Sequence, residues 1–149
     1  MQPAEQQNVD VVLRYFDGCN TGELDDLLPT LAEDVIHYFL PESFPTIRGR
    51  EHLARFWRKY KRTLDPTWRI DQIIGAGDLV VSEWSCRWRP SATTPWVMSR
   101  GTEWYVMREG VIAEVCVPIS RSTVPPTANS RTSPTPNAAT YRELDPRPG

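Results

Sequence analysis

Few side chains in this sequence can move a proton near neutral pH, and His37 stands first among them. It lies in the run VIHYF (35–39), where strand alternation puts it on the same side as Phe39. An imidazole titrates close to neutrality, so an inward His37 can shuttle a proton during isomerisation, dehydration or ring closure. The plainer reading is a core histidine bonded to a neighbour. Tyr15 offers a phenol that can donate to a carbonyl oxygen and stabilise an enolate, or else packs with its hydroxyl at the base of the core. Arg100 is suited to fixing a carboxylate or enolate, although an arginine more often sits at a rim. Other chemistries find little support. His52 adjoins a surface turn without a ligand partner, and Cys19, Cys86 and Cys116 show no CxxC spacing, so neither a metal nor a disulfide framework is expected. Gly75-Ala76-Gly77 lacks the third glycine and following helix of a phosphate loop, and there is no GxSxG elbow. No cofactor is implied.

These residues need a frame. Val9, Val12, Leu13 and Phe16 recur at i, i+3, i+4 and i+7, giving a helix that ends near Asn20-Thr21-Gly22. Leu24, Leu27, Leu28 and Leu31 repeat the spacing, but Pro29 makes that helix short or kinked. Val35 to Phe39 reads as a strand, followed by a proline-bounded loop from Pro41 to Pro45. Gly49 to Leu64 returns to helix, burying Leu53, Phe56, Trp57, Tyr60 and Leu64. Arg55, Arg58, Lys59, Lys61 and Arg62 then fall on its solvated face, which explains this basic cluster without nucleic acid.

Four strands follow, at Thr67–Ile74, Leu79–Trp88, Trp96–Met107 and Val111–Ile119, with short turns that favour antiparallel pairing. The class is α+β, with helices over one face of a curved sheet. Alternation groups Trp84, Cys86 and Trp88 on one strand face and Arg100, Thr102 and Trp104 on the next. With both groups facing inward they make an aromatic, sparsely polar lining suited to a flat apolar ligand. Glu83 and Glu103 then face away, where a catalytic role is not expected, and Asp34 is expected to serve a turn.

The 149 residues carry a formal charge of −2, which gives no general attraction to polyanions. The N-terminus lacks the pattern of a signal peptide, and no apolar run is long enough for a bilayer. A cytoplasmic protein with neither membrane nor nucleic-acid partners is expected. Two regions are read: a folded domain over 1–120 and a Pro/Ser/Thr-rich tail over 121–149, too poor in apolar periodicity to offset the entropy of ordering.

The stretches RYFDGCNTGELDDLLPTLAEDVIHYF, IRGREHLARFW, DQIIGAGDLVVSEW and RGTEWYVMREGVIAEV together resemble the nuclear transport factor 2-like superfamily. The likeness is greatest to its SnoaL-like polyketide cyclase and ketosteroid isomerase branches. The resemblance implies a cone of mainly antiparallel sheet with three helices, a deep hydrophobic pocket and often a homodimer. Tyr15 matches the isomerase tyrosine that donates to the substrate oxyanion, and Trp57 takes the place of a second pocket tyrosine. The isomerase base falls at or beside Phe39 and its protonated acid at Thr102, so neither carboxyl is retained. The cyclase aspartate falls in Pro118-Ile119-Ser120, and the epoxide hydrolase arginine and aspartates fall near Trp84, Cys86 and Val117. The resemblance also implies a continuation after Glu114 rich in arginine, alanine and tyrosine, which the genetic code permits in a shifted frame from about codons 115 to 116. A frameshift or a divergent tail both account for the departure.

Two readings stay open. One is an isomerase, cyclase or dehydratase acting without cofactor on a hydrophobic polyketide- or terpenoid-like carbonyl compound. His37 and Tyr15 would then be catalytic, with Phe39, Trp57, Trp84, Cys86, Trp88, Arg100, Thr102 and Trp104 binding substrate. The other is a non-catalytic ligand-binding or dimerisation module, which the missing acids favour.

Overall fold

A computed structural model describes residues 1–40 and 45–118. The loop at 41–44, the end of the expected last strand at 119–120 and the tail over 121–149, with its question of reading frame, lie outside the described residues. Helix α1 (Pro3–Thr21) is followed by α2 (Leu24–Leu27), a 3-10 turn (Leu28–Thr30), β1 (Leu31–Leu40), β2 (Ile47–Arg48) and α3 (Arg50–Leu64). The remainder is β3 (Thr67–Ala76), β4 (Leu79–Trp88), β5 (Val97–Arg108) and β6 (Val111–Pro118). No helix among the described residues is long and apolar enough to cross a membrane.

Local chemistry explains the boundaries. Pro3 occupies the first turn of α1, where its missing N–H costs nothing, and Glu5 accepts the Gln2 N–H at 2.8 Å. Gly22, with φ 71°, closes the helix by donating to the Gly18 carbonyl at 2.8 Å. Pro29 stops α2 after four residues, so Leu31 opens β1 instead of continuing a helix as its spacing suggested. The β5–β6 hairpin turns through Glu109 and Gly110, both at positive φ, the arrangement of a two-residue type I′ turn.

The six strands lie in the order β2-β1-β6-β5-β4-β3. Every neighbouring pair is antiparallel except β1 with β6, so the sheet is mixed and mainly antiparallel. It is curved and open, as expected of the cone fold. One register irregularity lies on β3, where Ile70 pairs with Trp84 and Gln72 with Glu83, leaving Asp71 as the extra residue. Such a bulge bends the strand, and here it lets Ile70 and Ile73 both pack against the core.

The helices cover one sheet face, and the core lies between them. Val9, Val12, Tyr15, Phe16 and Cys19 of α1 and Leu53, Ala54 and Trp57 of α3 are buried there. Helix α1 is also tied to both ends of β3. Asn20 donates to the Trp68 carbonyl at 2.9 Å and accepts the Trp68 N–H at 2.7 Å. At the other end Asn8 donates to the Gly77 carbonyl at 3.1 Å, and Glu5 accepts the Gly77 N–H at 2.9 Å.

Candidate functional site

Strand pairing decides which side chains meet under the helices. Residues directly opposite in an antiparallel pair share a face. Ser82 pairs with Glu103, Trp84 with Gly101, Cys86 with Ser99 and Val80 with Tyr105. The even residues of β4 therefore share a face with the odd residues of β5, and the buried Val80 and Tyr105 mark that face as inward. Trp84, Cys86 and Trp88 take the inward side, as the sequence suggests. Arg100, Thr102 and Trp104 do not.

This is a correction with a clear cause. Both faces of β5 carry apolar residues, and grouping by Trp104 selects the wrong parity. Trp104 is 49% exposed on the outer face. Arg100 lies there too, bonded to Glu83 at 2.5 Å, and Thr102 pairs with Glu83 in the ladder. Asp71 and Ser85 form another outer contact, the serine hydroxyl donating at 2.5 Å. The outer face also carries a cross-strand row of Ile74, Val81, Trp104, Cys116 and Tyr38. Ile74 is 64% exposed, and Leu79 and Val106 beside the row are exposed as well.

Glu103 takes the inward position instead. It is only 4% exposed, and the Tyr105 hydroxyl donates to its carboxylate. Burial raises its pKa to about 7, against the lowering pull of the Tyr105 hydroxyl and the Trp84 indole N–H. The Trp84 N–H acts from nearby without reaching hydrogen-bond geometry, and the buried Ser82 hydroxyl also lacks a partner. Gly101 makes room for this arrangement, because a Cβ there would collide with the Trp84 ring. No Lys or Arg among the described residues bridges to Glu103 or contributes to its shift. Its charge acts on Tyr15, Cys19, Cys86 and Tyr105, and the Lys61 and Arg87 charges also reach Cys86.

Tyr15 is buried in that interior, its ring centroid 6.1 Å from that of Tyr105. Trp57 Nε1 donates to the Tyr15 hydroxyl oxygen at 2.7 Å. An indole N–H can only donate, so the phenol is the acceptor there, and its own proton is turned toward the Cys19 sulfur. Burial pushes the Tyr15 pKa well above its ordinary value, with the Cys19 and Glu103 charges adding to the rise.

His37 is fully buried, at 0% exposure, beside Ile47 on one neighbouring strand and Val115 on the other. Phe39 lies 4.4 Å and Trp57 5.6 Å away between ring centroids. Neither imidazole nitrogen has a hydrogen-bond partner. Burial lowers the His37 pKa to about 3, so the ring is neutral at physiological pH and can donate at one nitrogen and accept at the other. Trp57 thus touches both residues expected to be catalytic.

Toward the end where β3 begins and β4 ends, the inward rings are half-buried: Phe56, Tyr60, Trp68, Trp84 and Trp88. Trp57 and Tyr60 each contact Trp68, and Trp88 Nε1 donates to Ser99 Oγ at 2.9 Å. Two clefts, of about 580 and 550 Å³, open elsewhere: one beside Gln7 and Arg14 of α1, one between Leu28, Arg50 and Arg108. Neither is lined by His37, Tyr15 or Glu103. No group of three or more His, Cys, Asp or Glu among the described residues could hold a metal.

Glu103, Tyr105 and Ser82 are the interior residues that sequence reasoning missed. The available signal was Tyr105 and Met107, two large residues next to the hairpin turn with the same parity as Gly101 and Glu103.

Residues 12–115 match the family model described as SnoaL-like domain. No curated protein matches the sequence. Among solved structures, an LEH-like epoxide hydrolase from M. tuberculosis is similar with a TM-score of 0.70 at 16% identity, over 79% of this chain and 86% of that one. A candidate SnoaL-like polyketide cyclase from Jannaschia sp. gives 0.66 at 20%, over 78% and 88%. A candidate ketosteroid isomerase from Kribbella flavida gives 0.66 at 20%, over 95% and 96%. At these identities the likenesses show the fold alone.

Proposed function

The chain belongs to the SnoaL-like domain family, and from that premise we propose that it is a small-molecule enzyme performing acid–base chemistry on a hydrophobic, polyketide- or terpenoid-like carbonyl compound. The observation that carries the reading is Glu103, a buried carboxyl without a paired cation among the described residues, beside the Tyr105 phenol. Proton transfer is most effective from a group whose pKa lies near the operating pH, and burial brings Glu103 there. The proton-handling role first suggested by His37 therefore passes to Glu103. His37, held neutral, serves as a hydrogen-bonding contact for bound substrate.

Tyr15 supports the oxyanion side of the same reaction. With Trp57 donating to its oxygen, the Tyr15 hydroxyl proton can turn from Cys19 to a carbonyl oxygen as enolate charge develops. The half-buried rings Phe56, Tyr60, Trp68, Trp84 and Trp88 supply an apolar way in. As proposed, the chemistry draws on no cofactor.

The test needs no knowledge of the natural substrate. Exchange of the α-protons of 2-tetralone with deuterated buffer, followed by NMR, reports any enolising acid–base site. The wild-type protein should accelerate exchange, and Glu103→Gln should remove at least about 100-fold of that acceleration. Exchange no faster than in buffer, with the ketone bound, would favour the non-catalytic ligand-binding reading.

The partner proposal is a homodimer through the outer sheet face. The row from Ile74 through Trp104 to Tyr38 presents large apolar side chains to solvent, as an isologous interface between two copies requires.

A further inference from the structure

We infer that Arg87, Arg89 and Trp96 form a binding site for a phosphate dianion on the outer face of the sheet, where β4 connects to β5. The site is separate from Glu103 and stands whether or not the acid–base reading does.

Its residues are held in place before any ligand arrives. Arg87 pairs with Thr67 of β3 and Met98 of β5, and its odd position on β4 turns it outward. Its guanidinium lies over the Trp96 ring, 4.6 Å from the centroid, and the Arg89 guanidinium lies 4.3 Å from the same centroid. Arg89 is anchored in turn: its backbone N–H donates to the Leu64 carbonyl at 3.0 Å and its side chain to the Ala92 carbonyl at 3.3 Å. The connection keeps its shape through Ser91 and Thr94, the threonine hydroxyl accepting the Ser91 N–H at 3.1 Å. Sharing one ring puts the two guanidinium carbons within about 9 Å of each other.

The balance of charge sets this pair apart from the other strand arginines. Arg69 bonds Asp71, Arg100 bonds Glu83 and Arg108 bonds Asp34. The half-buried Arg87 side chain makes neither an ion pair nor a hydrogen bond with any described residue. Arg89 reaches Asp65 only at 4.0 Å, and that half-exposed carboxylate already bonds Lys61 at 2.9 Å. Lys61, Arg87 and Arg89 therefore have one carboxylate among them. Two guanidinium forks call for an acceptor with several oxygens and two negative charges, which a phosphate monoester has above its second pKa of about 6. A carboxylate, with one charge and two oxygens, fills one fork. Because stacking already orders both side chains, binding gives up little of their rotamer freedom.

The test follows the Trp96 indole N–H by heteronuclear NMR at fixed ionic strength, with inorganic phosphate, phenyl phosphate and benzoate as probes; Trp96→Phe identifies the signal. At pH 8 both phosphates should shift it saturably, with dissociation constants of about 1 mM or below and at least about 10-fold tighter than benzoate. Affinity should fall several-fold at pH 5, where each phosphate carries a single charge. Arg87→Gln should weaken binding at least about 10-fold, whereas Arg62→Gln, on the exposed face of α3, should leave it unchanged. Either order of the two phosphates supports the site: tighter phenyl phosphate assigns it to an organic monoester, equal binding to the free ion. Benzoate binding as tightly as phosphate would overturn the inference. Equal losses in Arg87→Gln and Arg62→Gln would do the same, by marking a general attraction to surface charge. So would the absence of saturation up to about 50 mM. Arg89→Gln takes the place of Arg87→Gln should the latter fold poorly.

Discussion

Replacing Glu103 with glutamine keeps the shape of the side chain and removes its proton, which turns the interior carboxyl into a measurable energy. In the folded protein this group titrates at about 7, against an ordinary value of 4.5. A carboxyl whose pKa is raised on folding leaves stability intact below its unfolded pKa and withdraws it as pH rises through the folded one. At about 1.4 kcal/mol per tenfold change in proton activity, holding Glu103 ionised costs the native state about 3 kcal/mol at pH 8. Urea unfolding of both proteins at half-unit steps from pH 5 to 8 measures it. The Glu103→Gln variant should gain on the wild type steadily up to pH 7 and then hold a constant lead. His37 titrates identically in both, so its contribution cancels in the difference. A difference flat to within about 0.5 kcal/mol across that range would refute the placement of an unpaired carboxyl in the core.

The remaining predictions concern other residues. His37 has its pKa lowered by burial, so it withdraws stability as pH falls below its ordinary 6.5. His37→Phe should lose about 2 kcal/mol less than the wild type between pH 7 and 5 by denaturant unfolding. Gly101→Ala puts a methyl where the Trp84 ring lies, and should cost about 1–3 kcal/mol and shift tryptophan fluorescence. The proposed homodimer predicts that the wild type sediments as a dimer and Trp104→Glu, changed at a half-exposed position of the outer face, as a monomer.

The element order was legible because each helix and strand declares its own period. The apolar stripe of α1, the breaker at Pro29 and the turns at Gly77 and Gly110 all fall where local rules put them. Strand β2 was not legible, since two residues cannot display an alternation. Facing was the harder matter. On β1, Val35, His37 and Phe39 alternate with more exposed neighbours, and the inward side follows. On β5, Trp104 and Val106 compete with Tyr105 and Met107, and only the pairing of β5 with β4 settles which set is buried. That long-range pairing is absent from any local window, and it moves Glu103 from an expected surface acid to the buried interior. Tyr15 and Trp57 were legible as inward residues, but the direction of the hydrogen bond between them required coordinates.

The clamps of α1 on β3 bear on how such a sheet avoids its own kind. An open sheet exposes amide hydrogens and carbonyl oxygens along its outermost strand, an invitation to fibrous stacking. Here the side-chain amide of Asn20 imitates an adjoining peptide at Trp68, while Glu5 and Asn8 occupy the backbone of Gly77. The opposite border of the described sheet is β2, with two residues to offer. Splinted at one rim and cut short at the other, the described sheet offers a second sheet fewer free backbone groups to extend.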